Sequence, residues 1–232
     1  KKHAVTMLGD EFIEVNPAGE IVWRASLVDL LDGRKDAICP LENRGEWTHV
    51  NGLDVNDDDE LLYSCRTNSA VGIIDRQSGT LMWKLPHGMV YHQHHPTWQA
   101  GRKVQLFDNG MHRPDPPRSR VVVINPENDE VEWEFTGKPE PQFLSANIAG
   151  ADRMPNGNNL VCEGASGRLF EITSAGEVVW EWVSPFATGD GAAVNTQIFR
   201  AHRYGLDHPA ISGRNIDPRG HVTLNRMHGL GP

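Results

Sequence analysis

Cysteine is scarce in this chain of 232 residues, which carries only Cys39, Cys65 and Cys162. Three thiols cannot build a disulfide framework, and their spacing matches no zinc motif, so at most one disulfide bond is open to them. Positive charge is in deficit, with 22 Lys and Arg against 31 Asp and Glu for a formal net charge of −9. That balance excludes the electrostatic footprint of a nucleic-acid or anionic-membrane binder. Long apolar runs are missing: stretches such as Val121-Val122-Val123-Ile124 fall far short of the roughly 20 residues that span a bilayer. No glycine loop precedes a helical pattern to cradle a phosphate, so no nucleotide cofactor is expected. Asp57-Asp58-Asp59-Glu60 lacks the glycine and distal glutamate of a calcium loop. Gly164-Ala165-Ser166-Gly167 lacks the order and setting of a nucleophile elbow. The chain begins Lys1-Lys2-His3, without Met or a signal-peptide pattern, which is expected of a trimmed segment of something longer.

What is abundant is turn chemistry and tryptophan: 23 Gly, 15 Pro and seven Trp against three Tyr, in a chain otherwise of ordinary globular composition. These residues fall into a repeat. Glu11–Trp23, Val71–Trp83, Val121–Trp133 and Leu169–Trp180 each read as an apolar strand, a turn and a second strand ending in Trp. The tryptophans lie 60, 50 and 47 residues apart, and no segment sustains a helical period. Before three of these hairpins stands another strand pair: His49–Val55 with Leu61–Arg66, His94–Trp98 with Val104–Gly110, and Asn147–Met154 with Asn159–Gly164. Four strands over about 45–50 residues make the blade of a β-propeller. The expected fold is therefore all-β, a single propeller domain over 1–232 of four-stranded blades, with an irregular tail over 205–232. About four blades are visible, the last beginning with a strand near Phe199–Tyr204. A six-bladed ring needs about 280 residues, so the domain is expected to be incomplete at its N-terminus. The remaining blades would come from an upstream segment or a cleaved partner chain. Each repeated Trp is expected on an outer strand, packing between blades.

Propeller chemistry gathers where innermost strands end near the axis. Aligned on their second strands, the repeats place His49, His94 and Asn147 at equivalent positions, with His202 close to the same place in the next strand. Strand alternation puts His92 and His94 on one face and His95 on the other. His3, His87, His208, His221 and His228 lie in loops or tails and read as surface residues. His112 and Arg113 follow Phe107-Asp108-Asn109-Gly110 in a Pro-rich loop that could reach the site as outlying contacts. Cys65, beside Arg66, reads as a buried structural thiol ahead of a nucleophile.

The motifs together resemble the arylsulfotransferase family. The likeness runs through Ala37-Ile38-Cys39-Pro40-Leu41-Glu42, Glu46-Trp47-Thr48-His49-Val50-Asn51, Ser64-Cys65-Arg66, His92-Gln93-His94 and Phe107-Asp108-Asn109-Gly110. It continues through Ser119-Arg120, Arg153–Asn158 and Ser174–Trp180, spanning about Glu11 to Tyr204. The resemblance implies a six-bladed propeller that moves a sulfuryl group from an aryl sulfate to a phenol through a sulfated histidine, with no nucleotide donor and no cofactor. It implies that His94 is the nucleophile, with His49, Asn51 and Arg66 binding the sulfuryl oxygens. His92, Asn109, Asn147 and His202 are expected as further substrate contacts, and an extracytoplasmic, periplasmic location is implied. Sulfuryl transfer through a loose transition state needs an in-line nucleophile and fixed donors aimed at three oxygens, which these residue types supply.

Two other readings fit the same residues. His49, His94 and His202 could be ligands of a transition metal in a hydrolase, lyase or oxygenase, with Asp108 and Glu163 as carboxylates orienting the rings. A non-catalytic binding propeller is the second, with an axis blocked by apolar side chains. A quinone-dependent dehydrogenase is disfavoured, because its larger Trp-rich repeat is absent.

Overall fold

The computed structural model describes residues 6–139, 142–189 and 195–227; His3 and His228 lie outside them. Among the described residues, the alternating and apolar runs form fourteen strands. A two-stranded sheet, β1 (Glu11–Val15) and β2 (Ile21–Ser26), comes first. The second sheet comprises β3 (Val50–Val55), β4 (Glu60–Cys65), β5 (Val71–Asp75) and β6 (Thr80–Lys84). The third comprises β7 (His94–Gln99), β8 (Lys103–Asp108), β9 (Arg120–Asn125) and β10 (Glu130–Phe135), and the fourth β11 (Gly150–Arg153), β12 (Asn159–Glu163), β13 (Arg168–Ile172) and β14 (Val178–Val183). Each four-stranded sheet is antiparallel and runs in chain order, the meander of a propeller blade. The architecture is all-β, with blade-type sheets. Two compact units divide the chain, Lys1–Asn147 holding β1–β10 and Ile148–Pro232 holding β11–β14. Among the described residues, no helix is long and apolar enough to cross a membrane.

The turns form because Asx side chains hold them. Asn16 Oδ1 accepts from the Ala18 and Glu20 amides, and Asn56 Oδ1 does the same for Asp58 and Glu60. The core lies between blades of the first unit. Because side chains alternate along β4, Leu61, Tyr63 and Cys65 pack with Phe12, Ala25 and Leu27 near the first sheet. Leu62 points the other way, into a cluster with Ile73, Val104, Leu106 and Val122. Two of the repeated tryptophans tie one sheet to the next. Trp23 Nε1 donates to Arg76 O at 2.9 Å, and Trp83 Nε1 to Asp129 Oδ1 at 2.8 Å, each partner lying on the neighbouring blade's hairpin.

Two expectations are corrected. Phe199–Tyr204 forms no strand, so no further blade begins there among the described residues; beyond it come a 3₁₀ turn (Pro218–His221) and a short helix over Val222–Met227. The three cysteines, whose number left one disulfide open without requiring it, are free thiols. His49 and His94 are not equivalent in register. Ser64, Phe107 and Cys162 occupy one level, each paired with the residue that opens the repeated apolar hairpin segment, Val71, Val121 or Leu169. Across the blade at that level stand Gly52, His94 and Gly150. His49 and Asn147 each fall three residues earlier, just outside their strands. Irregularities at Val50/Gly52 and at His94/Thr97 shift the pairing, which alignment by second strands alone does not reveal.

Candidate active site

His94 opens β7 and is almost fully buried. Its backbone position is set by Gln93, a wholly buried side chain whose Nε2 lies 3.0–3.1 Å from Ser64 Oγ, Cys65 O and Ala70 O. Asn51, on β3, donates from Nδ2 to Gln93 O at 2.6 Å. The segment before the histidine is thus tied to the end of β4, the start of β5 and β3.

The imidazole itself is oriented through Nδ1, which lies 2.7 Å from Asn109 Oδ1 and 3.0 Å from His92 O. Both neighbours are acceptors, so Nδ1 carries the proton and Nε2 keeps its lone pair. Asn109 has its amide direction fixed, because Nδ2 donates to Ser145 O at 2.8 Å and only the carbonyl end is left to face the ring. Ser119 completes the support: its Oγ donates to Asn109 O at 2.9 Å and accepts from the Ser145 amide. Burial drives the His94 pKa down to about 4, against the pull of the Asn109 and His92 hydrogen bonds and with help from the Arg66 charge. At neutral pH the ring is uncharged.

Arg66 follows β4 at the register level that Asn109 takes after β8. Its guanidinium forms a two-pronged ion pair with Glu42, at 3.0 and 3.1 Å. Glu42, Glu46, His49 and Arg66 line a cleft of about 340 Å³. His49 is half exposed there, with Nδ1 against the Glu46 carboxylate. A larger cavity of about 440 Å³, lined by residues such as Phe12, Trp23 and Leu53, touches none of these imidazoles. His92 is buried, and burial lowers its pKa to about 4. His112 packs edge-on against it, ring centroids 4.6 Å apart, while Arg113 approaches the backbone of its own loop at Arg118 O, 3.4 Å away.

In the second unit, His202 faces the Asp152 carboxylate. Asn147, at the end of the first, accepts at its backbone carbonyl from Ser145 Oγ. Of the three histidines in the metal alternative, His49 meets Glu46 and His94 meets Asn109 within the first unit, while His202 meets Asp152 within the second. Within the first unit, the donors that converge are those of Cys39, His92 and His112. The carboxylates expected to orient imidazoles serve arginines: Asp108 meets Arg120 at 2.8 Å, and Glu163 meets Arg168 at 3.1 Å. Cys65 is fully buried and its thiol is pushed well up by desolvation, which leaves it inert. Sequence reasoning missed the roles of Glu42 and Gln93; both stood in recognised motifs, but neither position in the chain reveals what it would touch.

A model of the family described as Arylsulfotransferase (ASST) matches residues 1–185, most of the chain. No protein of curated function matches. Among solved structures, a protein of unknown function from Bacteroides caccae is similar at 16% identity and a TM-score of 0.48, covering 75% of this chain and 58% of that one. Virginiamycin B lyase from Staphylococcus aureus is similar at 19% identity and a TM-score of 0.43, covering 60% of this chain and 42% of the lyase. The chain therefore spans between about two fifths and three fifths of their lengths. The match over residues 1–185 carries the assignment: the chain belongs to the arylsulfotransferase family.

Proposed function

We propose that the chain carries the centre of a nucleotide-independent aryl-sulfate sulfotransferase in which His94 is the nucleophile. The observation that carries this reading is the His94 ring: neutral, buried, and with Nδ1 engaged by Asn109 Oδ1 and His92 O so that Nε2 holds the reactive lone pair. Nε2 attacks the sulfur of an aryl sulfate, an N–S bond forms, and the S–O bond to the ring breaks with its electron pair leaving on the phenolate. In the second half, an acceptor phenol gives its proton back to His49, its oxygen bonds to the sulfur, and the N–S bond returns its pair to Nε2. Arg66 supplies the positive charge for the sulfuryl oxygens, and its effect on the His94 pKa supports its nearness. His49, bordering the cleft and backed by Glu46, protonates the departing phenolate. Asn51 acts by holding Gln93, and Asn109 by holding the ring. His92 frames the nucleophile through its carbonyl. Asn147 and His202 are further substrate contacts in this reading. No cofactor is required, and an extracytoplasmic location belongs to it on the family likeness alone.

The test is transfer from p-nitrophenyl sulfate to a phenol, followed as release of nitrophenol and appearance of the sulfated acceptor. The chain is expected to catalyse it, and His94→Ala to abolish it while keeping the parent's unfolding curve. Undiminished turnover by a folded His94→Ala protein would overturn the assignment.

A further inference from the structure

Beside the proposed nucleophile, three loops bring together side chains that sulfuryl transfer does not use. Cys39 lies in the loop before β3, pinned by its amide to Thr67 O at 2.8 Å and by its carbonyl to the Glu42 amide at 3.0 Å. His92 lies in the turn before β7. His112 lies in the loop after β8, whose Gly110 amide bonds to Tyr91 O at 2.9 Å. One ligand atom from each of Cys39, His92 and His112 falls within 4.8 Å of the others.

Three of the separations have the scale of a coordination shell. Cys39 Sγ lies 3.5 Å from His112 Nδ1. Glu42 Oε1 lies 3.4 Å from His92 Nδ1 and 3.8 Å from His112 Nδ1. Zinc bonds of about 2.3 Å to sulfur and about 2.0–2.1 Å to nitrogen or oxygen set sulfur and nitrogen roughly 3.5 Å apart at a tetrahedral angle, and nitrogen and oxygen roughly 3.4 Å.

His92 supplies the independent observation. Its side chain is 2% exposed, and neither ring nitrogen has a hydrogen-bond partner. Buried polar atoms are almost always satisfied, and an imidazole with both nitrogens unsatisfied is costly to bury without a further ligand. This one faces a thiol, a second imidazole and a carboxylate. Arg66 donates to both oxygens of that carboxylate, to Oε1 at 3.0 Å and to Oε2 at 3.1 Å, as outer groups orient ligating carboxylates in metal centres.

We propose that Cys39, His92 and His112, with Glu42 as the fourth donor, bind a zinc-type divalent cation. One sulfur and two imidazoles select a borderline-soft ion over magnesium or calcium. The site stands apart from the sulfuryl-transfer reading, because it can fill whether or not His94 is a nucleophile.

The test is titration of the tag-free, metal-stripped chain with Co²⁺ and then Zn²⁺. One Co²⁺ per chain is expected, with a thiolate-to-cobalt charge-transfer band that equimolar Zn²⁺ removes. Cys39→Ser should abolish the band, and both it and His112→Ala should weaken Zn²⁺ binding by roughly 100-fold against a chromophoric chelator. Cys162→Ser should leave band and affinity unchanged, and circular dichroism should show each variant folded. Should Cys39→Ser not fold, His112→Ala and the wild-type band decide the matter. Absence of the band in the wild-type chain, its survival in Cys39→Ser, or unaltered affinity in a folded His112→Ala would overturn the proposal.

Discussion

At the scale of single residues, the reactivity assigned to His94 depends on which nitrogen bears the proton, and that is settled by Asn109. With Nδ2 committed to Ser145 O, Asn109 presents only its carbonyl to the ring. Asn109→Ala removes that acceptor and leaves His92 O alone to hold the ring. The expected outcome is a kcat lowered by up to about 100-fold with little change in KM, since the ring would be mis-aimed while the cleft stays intact. A steady-state comparison checks it, and a change confined to KM would assign Asn109 to substrate binding instead. The proposal of His94 could start from the sequence, because Gln93-His94 stood in a recognised motif at a strand start. The partnerships around it were not legible there. Asn109 lies 15 residues from His94, and Glu42 lies 24 from Arg66. Such contacts exist only once strands pair, and spacing along the chain does not encode them.

Elements show a different balance. The blade repeat was readable because turns, alternating runs and outer tryptophans are local signals, and every four-stranded sheet formed where the repeat put it. Register was not readable, because it depends on bulges at Val50/Gly52 and His94/Thr97. Gly52 marks a close approach of β3 to β7: a Cβ there would come 2.5 Å from Pro96 Cδ and 3.3 Å from the His95 nitrogen. Gly52→Ala is therefore expected to cost about 1–3 kcal/mol, read from denaturant unfolding, because neither a ring nor a backbone can move aside freely. A stability within about 0.5 kcal/mol of the parent would mean that β3 and β7 can separate at little cost.

A second contact joins the same two blades. Glu60 on β4 accepts from Arg102, in the β7–β8 turn, at 2.7–3.2 Å. The Arg102 hydrogen bonds hold the Glu60 carboxyl below its ordinary value of 4.5, against the opposing effect of burial. A depressed carboxylate adds stability that is complete above its unfolded value and lost as pH falls through the folded one. Glu60→Gln should therefore cost about 1 kcal/mol at neutral pH, discounted for the solvent around Arg102. The deficit should shrink as the solution is acidified below 4.5. Parallel unfolding curves of parent and variant across that range check the sign; a deficit that grew on acidification would contradict it.

For the whole molecule, composition excluded more than it assigned. The deficit of positive charge and the lack of long apolar runs removed broad classes, and the order of short motifs led to the arylsulfotransferase family, which the match over residues 1–185 bears out. The end of the chain was least legible. Phe199–Tyr204 has the look of a strand, yet its residues find no strand partner among those described, and strand formation is decided by pairing as much as by propensity. The central claim, that a sulfuryl group passes through His94, is tested most directly by intact-mass analysis of the chain after exposure to p-nitrophenyl sulfate with no acceptor present. The account predicts a gain of one SO₃, mapped to the peptide containing His94, absent from His94→Ala and discharged when a phenol is added. Turnover without such an adduct, or an adduct on another residue that phenol discharges, would contradict it.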